Sequence, residues 1–391
     1  LRMKFSLRWK LAALAAAVVL AACGGGGAEG PGSRVALKSV VVMGDSLSDS
    51  GVFQGLPGFG RIFSVQDSDS EPNTIWTERI AAQIGAPQLC NFYKFTGTTF
   101  IANPKQGCTS FAVGAGRINN QASNGGAAAP FSIPKQLADA AAVIGNYDAS
   151  QLLLIDGGGN DAADLVGAYL KAATDGGAAY QAFLLSLLPP ATVASTLSQP
   201  NGAAIAGGVY MSALADKFQA AIKASALDRG AQRVAVLNMP GITNTPRFQA
   251  VLGAIEAAQG ATARAQAEAL FNSWVQAFNQ QLANKFAGDS RVVIVDFYTN
   301  FNDEVANPAQ YGLTNVKTPA CPVTGVGSDG LPSYNFQTCT AAALSANPPA
   351  GQSSPDWWKR YAFSDGFHPT PYGYQLMSQL VSRSLAQAGW L

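Results

Sequence analysis

The sequence predicts an α/β protein in which a mostly parallel sheet is covered by helices on both faces, the three-layer α/β/α arrangement. Two observations support this fold class. Short apolar runs rich in β-branched residues recur along the chain, and such runs are typical of strands that are buried on both faces. Segments with helical periodicity lie between these runs, and the alternation of strands with helices favours a parallel sheet.

Four apolar runs predict the main strands. The first, residues 35–43, leads into the string Gly44-Asp45-Ser46, so we expect a buried strand followed by a turn and a helix. The other three runs are residues 151–156, 233–238 and 291–297. Residues 109–113 are a weaker, fifth candidate for a strand.

Helical patterns occupy stretches between these runs, at residues 77–84, 133–144, 209–227, 261–286 and 371–388. In open parallel sheets, reactive groups gather beyond the carboxyl ends of the strands. We predict a single domain over residues 35–391, with insertions at about 162–206 and 307–355. Such long segments are either functional lids and binding loops or surface decoration.

The N-terminus predicts export. Basic residues precede an apolar run at 11–22, which is the pattern of a signal peptide over residues 1–22. The string Leu20-Ala21-Ala22-Cys23 resembles the lipobox of bacterial lipoproteins, in which Cys23 becomes lipidated, and glycines follow it as a flexible tether up to about residue 34. We expect a lipid-anchored protein at the outer membrane or surface of a Gram-negative bacterium. An ordinary signal peptide with a chance cysteine is the alternative.

The composition of the chain argues against nucleic acids and metal ions as partners. A net charge of +1 with 13% charged residues gives no basic patch of the kind that nucleic acids require. Four cysteines remain after Cys23, namely Cys90, Cys108, Cys321 and Cys339. Export favours disulfides, and pairing within each half of the chain is the simplest of three connectivities. Their spacing matches no usual zinc site, so we predict no metal.

The chain has a single histidine, His368, in the string Asp365-Gly366-Phe367-His368. Imidazole is the side chain best suited to move a proton to and from a weak nucleophile near neutral pH. A carboxylate three residues earlier can reach the ring and hold it in one tautomer. We therefore predict His368 as a general base that Asp365 orients.

Ser46 is the candidate nucleophile. Its position after a buried strand places the hydroxyl at the sheet edge, and a backbone N–H at a helix N-terminus stabilises the negative charge that develops on attack. Serine is also a common helix N-cap, which is the alternative for this motif in isolation.

Two further strings supply candidate donors for that charge. Asn160 lies in Gly158-Gly159-Asn160-Asp161, directly after the run at 151–156, and its side-chain amide can donate a hydrogen bond. Gly114 lies in Ala112-Val113-Gly114-Ala115-Gly116, where a tight turn leaves backbone N–H groups free. Ordinary glycine turns are the alternative for both strings.

The order of these strings is the specific signal, and with it the chain resembles a GDSL esterase/lipase of the SGNH hydrolase superfamily. The strings Trp76-Thr77-Glu78-Arg79 and Asn238-Met239-Pro240-Gly241 add to the resemblance. The second block departs from the Ala-x-Gly-Gly-Ala of many relatives. We choose Gly114 over Gly116 there, although the N–H of Ala115 would also serve.

The resemblance implies a flavodoxin-like fold and hydrolysis of carboxylic esters through an acyl-serine intermediate, without a metal or cofactor. Ser46 would be the nucleophile, His368 the base and Asp365 its orienting partner. The oxyanion hole would comprise the backbone N–H groups of Ser46 and Gly114 and the side chain of Asn160. The implied partner is an ester or lipid substrate. A phospholipase or lipid acyltransferase of the same fold is the alternative, and a non-catalytic surface lipoprotein is the alternative from another class.

Overall fold

A parallel sheet forms the centre of the fold. In the computed structural model, which describes residues 36–68 and 72–391, the four main predicted strands are present and the α/β/α fold class is confirmed. The strands are β1 (Ser39–Met43), β2 (Tyr93–Phe95), β3 (Phe100–Ala102), β4 (Gln151–Ile155), β5 (Val234–Leu237), β6 (Val292–Val295), β7 (Gly325–Val326) and β8 (Pro332–Ser333). The central sheet has the order β1-β4-β5-β6, and all its neighbours are parallel.

The weaker fifth candidate, residues 109–113, is not a regular strand but lies beside β1. The Val42 N–H donates to the Thr109 carbonyl at 2.9 Å, and the Phe111 N–H donates to the Val42 carbonyl at 2.7 Å. The second segment along the chain thus lies outside the first, as in flavodoxin-like sheets. This edge brings residues 113–116 to the carboxyl end of β1.

Helices cover both faces of the sheet. They are α1 (Trp76–Gln83), α2 (Ile133–Ile144), α3 (Gly159–Asp175), α4 (Ala178–Leu185), α5 (Pro190–Leu197), α6 (Gly202–Ser225), α7 (Pro246–Gln259), α8 (Ala261–Phe286), α9 (Phe297–Ala306), α10 (Ala341–Ala346) and α11 (Pro371–Gln387). The predicted bounds of α2 and α8 are confirmed to the residue. The predicted 209–227 helix starts earlier, at Gly202, and the predicted insertion at 162–206 contains α4, α5 and most of α3.

Alternate residues of β1 show how the sheet separates two apolar layers. Val41 and Met43 pack in one cluster, whose members include Phe218 of α6 and Phe278 of α8. Val40 and Val42 pack in the other, whose members include residues of α1, α9 and α11. Because both faces of each strand are covered, the strands read as continuous apolar runs in the sequence.

The predicted helix directly after β1 is wrong. The chain turns at Ser46, where the Ser48 N–H donates to the Asp45 carbonyl at 3.1 Å, and the next helix in the described residues begins only at Trp76. The backbone N–H of Ser46 therefore does not lie at a helix N-terminus.

Two disulfides close local loops. Cys90 is bonded to Cys108 and Cys321 to Cys339, so the pairing within each half of the chain is confirmed. The second disulfide lies in a small apolar cluster with Phe336 and other aromatic residues. In this way a segment rich in Pro, Gly and Asn gains a core of its own.

Residues 37–391 form one compact unit. The predicted signal peptide, Cys23 and the tether lie outside the described residues. Among the residues that the structure does describe, no helix combines the length and apolar character needed to cross a bilayer.

Candidate active site

A serine, a histidine and an aspartate are hydrogen-bonded in series beyond the carboxyl ends of the strands. Ser46 Oγ lies 2.8 Å from His368 Nε2, although the two residues are 322 positions apart. His368 Nδ1 lies 2.8 Å from Asp365 Oδ2. In such a series the carboxylate orients the imidazole, and the free ring nitrogen can take the proton of the hydroxyl.

The surroundings of Asp365 favour its ionised form. Burial alone would raise its pKa, but the nearby His368 and the backbone N–H groups of His368 and Phe367 together lower the pKa below its ordinary value. Those N–H groups donate to Asp365 Oδ1 at 2.6 and 2.8 Å. The same bonds close a tight turn, and this explains why a spacing of three residues brings the carboxylate to Nδ1.

Two phenylalanine rings pack against the imidazole of His368. The ring of Phe63 lies 5.1 Å from that of His368, centroid to centroid, and the ring of Phe336 lies 5.6 Å away. Phe336 belongs to the loop that the Cys321–Cys339 disulfide closes. Neither phenylalanine was singled out from the sequence, because no local pattern marks a ring that packs on a residue from another part of the chain.

Two hydrogen bonds fix the turn that carries Ser46. The Gly44 N–H donates to Gln136 Oε1 of α2 at 2.8 Å. The Leu47 N–H donates to Asp45 Oδ1 at 3.0 Å. Ser46 itself is 8% exposed, so its hydroxyl is reached only from the cavity in front of it.

That cavity has a volume of about 200 Å³ and contains the predicted Asn160 as well as Ser46 and His368. Asn160 is the second residue of α3, and its Nδ2 donates to the Gly116 carbonyl at 3.0 Å. An amide nitrogen carries two hydrogens, so one remains to point at a ligand. The structure thus brings Asn160 to the same cleft as Ser46.

The Gly114 assignment is wrong. Its N–H donates to Asp49 Oδ2 at 2.7 Å, and Asp49 also accepts from the N–H groups of Gly51 and Val52. Burial raises the pKa of Asp49 to about 6. Because its one hydrogen is already bonded to this carboxylate, Gly114 has none to offer to a substrate.

Ala115 takes the place predicted for Gly114. It lines the cavity, and within residues 36–68 and 72–391 its N–H has no hydrogen-bond acceptor. Its φ is +62°, a left-handed conformation that costs free energy for a residue with a Cβ. Strain of this kind persists where the surrounding structure imposes it. Here it accompanies a free N–H in the wall of the cavity that contains Ser46.

The remaining cavity wall is mainly apolar. Its apolar members are Leu47, Phe63, Leu237, Pro240, Ile242, Phe297 and Phe367. Within the described part of the chain, no cluster of three or more His, Cys, Asp or Glu side chains could hold a metal ion.

Comparison with known proteins agrees with this arrangement of fold and site. Residues 40–381 match the GDSL-like Lipase/Acylhydrolase family, and the chain belongs to this family. It is similar to two proteins of Arabidopsis thaliana. GDSL esterase/lipase At1g29660 is 33% identical over 104 residues, which are 27% of this chain and 24% of that protein. GDSL esterase/lipase EXL2 is 28% identical over 155 residues, 38% of this chain and 35% of that protein. The chain thus matches about a third or less of the length of these relatives.

Proposed function

We propose that the protein is a serine esterase or lipase that hydrolyses carboxylic esters through an acyl-serine intermediate. The observation that carries this proposal is the hydrogen-bonded series from Ser46 through His368 to Asp365, which opens into a largely apolar cavity. Membership of a lipase and acylhydrolase family supports the reaction class.

The geometry supports the following steps. Ser46 Oγ attacks the carbonyl carbon of the ester while its proton passes to His368 Nε2, and the carbonyl electron pair moves onto oxygen. Asp365 stabilises the imidazolium that forms. His368 then gives the proton to the departing alcohol. Water repeats the sequence on the acyl-serine, and the acid is released.

We assign three donors that line the cavity to the developing negative oxygen. They are the backbone N–H groups of Ser46 and Ala115 and the side-chain amide of Asn160. Each donor aimed at such a charge contributes roughly 3 kcal/mol of transition-state stabilisation in comparable enzymes. With Ala115 in place of Gly114, the hole retains the three donors expected from the sequence.

The cavity walls favour an apolar acyl group. A second, smaller cavity shares Leu47, Phe297 and Phe367 with the first and continues to Leu313 and Leu376. We infer that the acyl chain lies against Phe297 and Phe367, and that longer chains enter the inner cavity. Short to medium acyl esters are therefore the proposed substrates.

A chain-length series of p-nitrophenyl esters tests the function. Ser46→Ala and His368→Ala should each lower kcat by roughly 10³-fold or more, because members of such a series act as a unit. Ser50→Ala is the matched control, since its buried hydroxyl has no partner in the described residues. Wild-type rates in His368→Ala would refute the mechanism, because the chain has no second imidazole.

We also propose that Cys23 is lipidated and attaches the enzyme to a membrane after export. The support is the lipobox-like string and the glycines after it. Cell fractionation should find the wild type in the membrane fraction and Cys23→Ser in the soluble fraction. A wild-type protein recovered soluble with an unmodified Cys23 would contradict this.

A further inference from the structure

Two buried aspartates lie against each other behind Ser46. Asp45 immediately precedes Ser46 and is 5% exposed, and Asp156 follows β4 and is 2% exposed. Asp156 Oδ2 accepts the N–H of Asp45 at 3.3 Å, which places the carboxyl group of Asp156 beside Asp45. Among the described residues, no Lys or Arg forms an ion pair with either carboxyl group.

The pair is built into the turn that carries Ser46. Asp156 Oδ1 accepts a hydrogen bond from the Ser48 hydroxyl, and Trp76 Nε1 donates to the same hydroxyl at 3.1 Å. A Cβ on Gly44 would lie only 1.9 Å from Asp156 Oδ1. Position 44 therefore has to be a glycine, because a side chain there would clash with the carboxyl group of Asp156. Gly44 and Asp45, which contact that group, directly precede Ser46, so a displacement of the Asp156 carboxyl group would also displace Ser46.

Charge requires a proton in the pair. Two buried carboxylates in contact do not both ionise near neutral pH. Burial and the charge of Asp45 raise the pKa of Asp156 well above its ordinary value, so we place the proton on Asp156.

We propose that Asp45 and Asp156 are positioning residues that hold one proton between them and thereby keep Ser46 Oγ within reach of His368 Nε2. Loss of that proton puts two negative charges in contact. The turn at residues 45–48 then opens, and the hydroxyl moves away from the imidazole. The effect on turnover rests on the ester hydrolysis proposed above, whereas the shared proton itself does not.

Other charged and titratable groups face the pair from four directions. Asp49 lies in the turn after β1, Arg117 in the loop before α2, His368 in the loop before α11, and Tyr374 on α11. Burial raises the pKa of Asp49 only to about 6, and burial raises that of Tyr374 well above its ordinary value. Arg117 is bonded to Asp164. Among these groups, Asp156 and Tyr374 have pKa values raised well above their ordinary values.

The pH dependence of kcat in Asp156→Asn tests the proposal. Asparagine is neutral, can donate to the Asp45 carboxylate and can accept from Ser48, and it gives up only the 3.3 Å bond from the Asp45 N–H. We expect kcat at pH 7 within about threefold of wild type, and an alkaline decline that is absent or displaced by at least about one pH unit. Asp156→Ala removes the acceptor of the Ser48 hydroxyl and of the Asp45 N–H, and it should lower kcat roughly tenfold or more at every pH. The rate of Ser46→Ala is subtracted as background.

Asp139→Asn is the matched control, because that carboxylate pairs with Lys135 on α2 away from the cavity. Its pH profile should equal that of the wild type. An alkaline limb that is the same in wild type and Asp156→Asn would overturn the proposal, and this outcome does not depend on whether the alanine variant folds.

Infrared difference spectroscopy supplies a test without turnover. At pH 8 the wild type should show the C=O stretching band of a buried protonated carboxylic acid, and Asp156→Asn should lack it. Absence of this band from the wild type would refute the shared proton. Absence of ester hydrolysis with the band present would count against the proposed function alone.

Discussion

At the scale of single residues, the donors in the cavity depend on which hydrogens are already bonded. Gly114 and Ala115 are neighbours, yet only Ala115 has an N–H free to donate, because Asp49 Oδ2 accepts that of Gly114. The sequence predicted Gly114 as the donor, whereas the structure leaves the N–H of its neighbour free. Which N–H a turn leaves free depends on a carboxylate 65 residues away, and no local pattern records that contact.

Ala115→Gly tests the strained backbone. Glycine adopts a φ of +62° without the steric cost that alanine incurs, although its unfolded chain is more flexible. We expect a net gain of about 0.5–1 kcal/mol in the free energy of unfolding, with kcat retained because the N–H remains. Urea unfolding and p-nitrophenyl butyrate turnover measure the two quantities. A loss of stability would show that the alanine methyl group makes contacts that outweigh the strain.

At the scale of elements, the loop closed by Cys321 and Cys339 supports the histidine. The Cys321 N–H donates to the Ser364 carbonyl at 2.8 Å, and the Ala320 N–H donates to the Phe363 carbonyl at 2.9 Å. Phe336 adds its ring against His368. The predicted insertion therefore contacts the loop of His368, and this favours a functional loop over the surface decoration that composition left open.

Removing each disulfide separately tests this role. Cys321→Ala with Cys339→Ala should lower the free energy of unfolding by about 2–4 kcal/mol and should also lower kcat in the protein that remains folded, because Phe336 loosens. Cys90→Ala with Cys108→Ala is the comparison, since that disulfide closes a loop of the same length without a ring on His368. Equal kcat losses in the two double variants would argue against a specific role for the second loop.

Helix α9 contains a buried carboxyl group that makes stability depend on pH. Burial raises the pKa of Glu304 to about 7. A pKa that is higher in the folded than in the unfolded state means that stability falls as pH rises between the two values, here from about 4.5 to about 7. Above about pH 7, Glu304 is ionised in the folded protein, and the free energy of unfolding is lowered by the full cost of burying its charge.

Glu304→Gln should remove this cost. We expect the variant to gain about 2 kcal/mol in the free energy of unfolding over wild type at pH 8, relative to its gain at pH 5. Urea unfolding at the two pH values gives the comparison. The same gain at both pH values would show that packing, and not charge, separates the variant from the wild type.

At the scale of the whole molecule, the sequence predicted the strands and helices that have a regular pattern of apolar residues. It missed features that depend on contacts between distant segments. Buried parallel strands read as apolar runs, and long amphipathic helices such as α2 and α8 show their period, so both were predicted. Helices α7 and α9 were missed. Each begins with a cap, Thr245 and Asp296 respectively, but such polar side chains also occur in turns and do not mark a helix by themselves. The four strings of the site were predicted because each one is local, whereas the packing of Phe63 and Phe336 on His368 is not.

The inner cavity is a property of the whole fold, because the loop after β5, helix α9 and helix α11 all contribute to its wall. Leu376→Trp should fill it. The enlarged side chain leaves room for a short acyl group beside Ser46 but not for a longer one, so kcat/KM for p-nitrophenyl octanoate should fall at least about tenfold relative to acetate. Gln379→Trp, an exposed position on the same helix, should leave the chain-length profile unchanged. If Leu376→Trp hydrolyses octanoate and acetate in the wild-type ratio, the longer chains do not enter the inner cavity, and they must leave the site along another wall of the outer one.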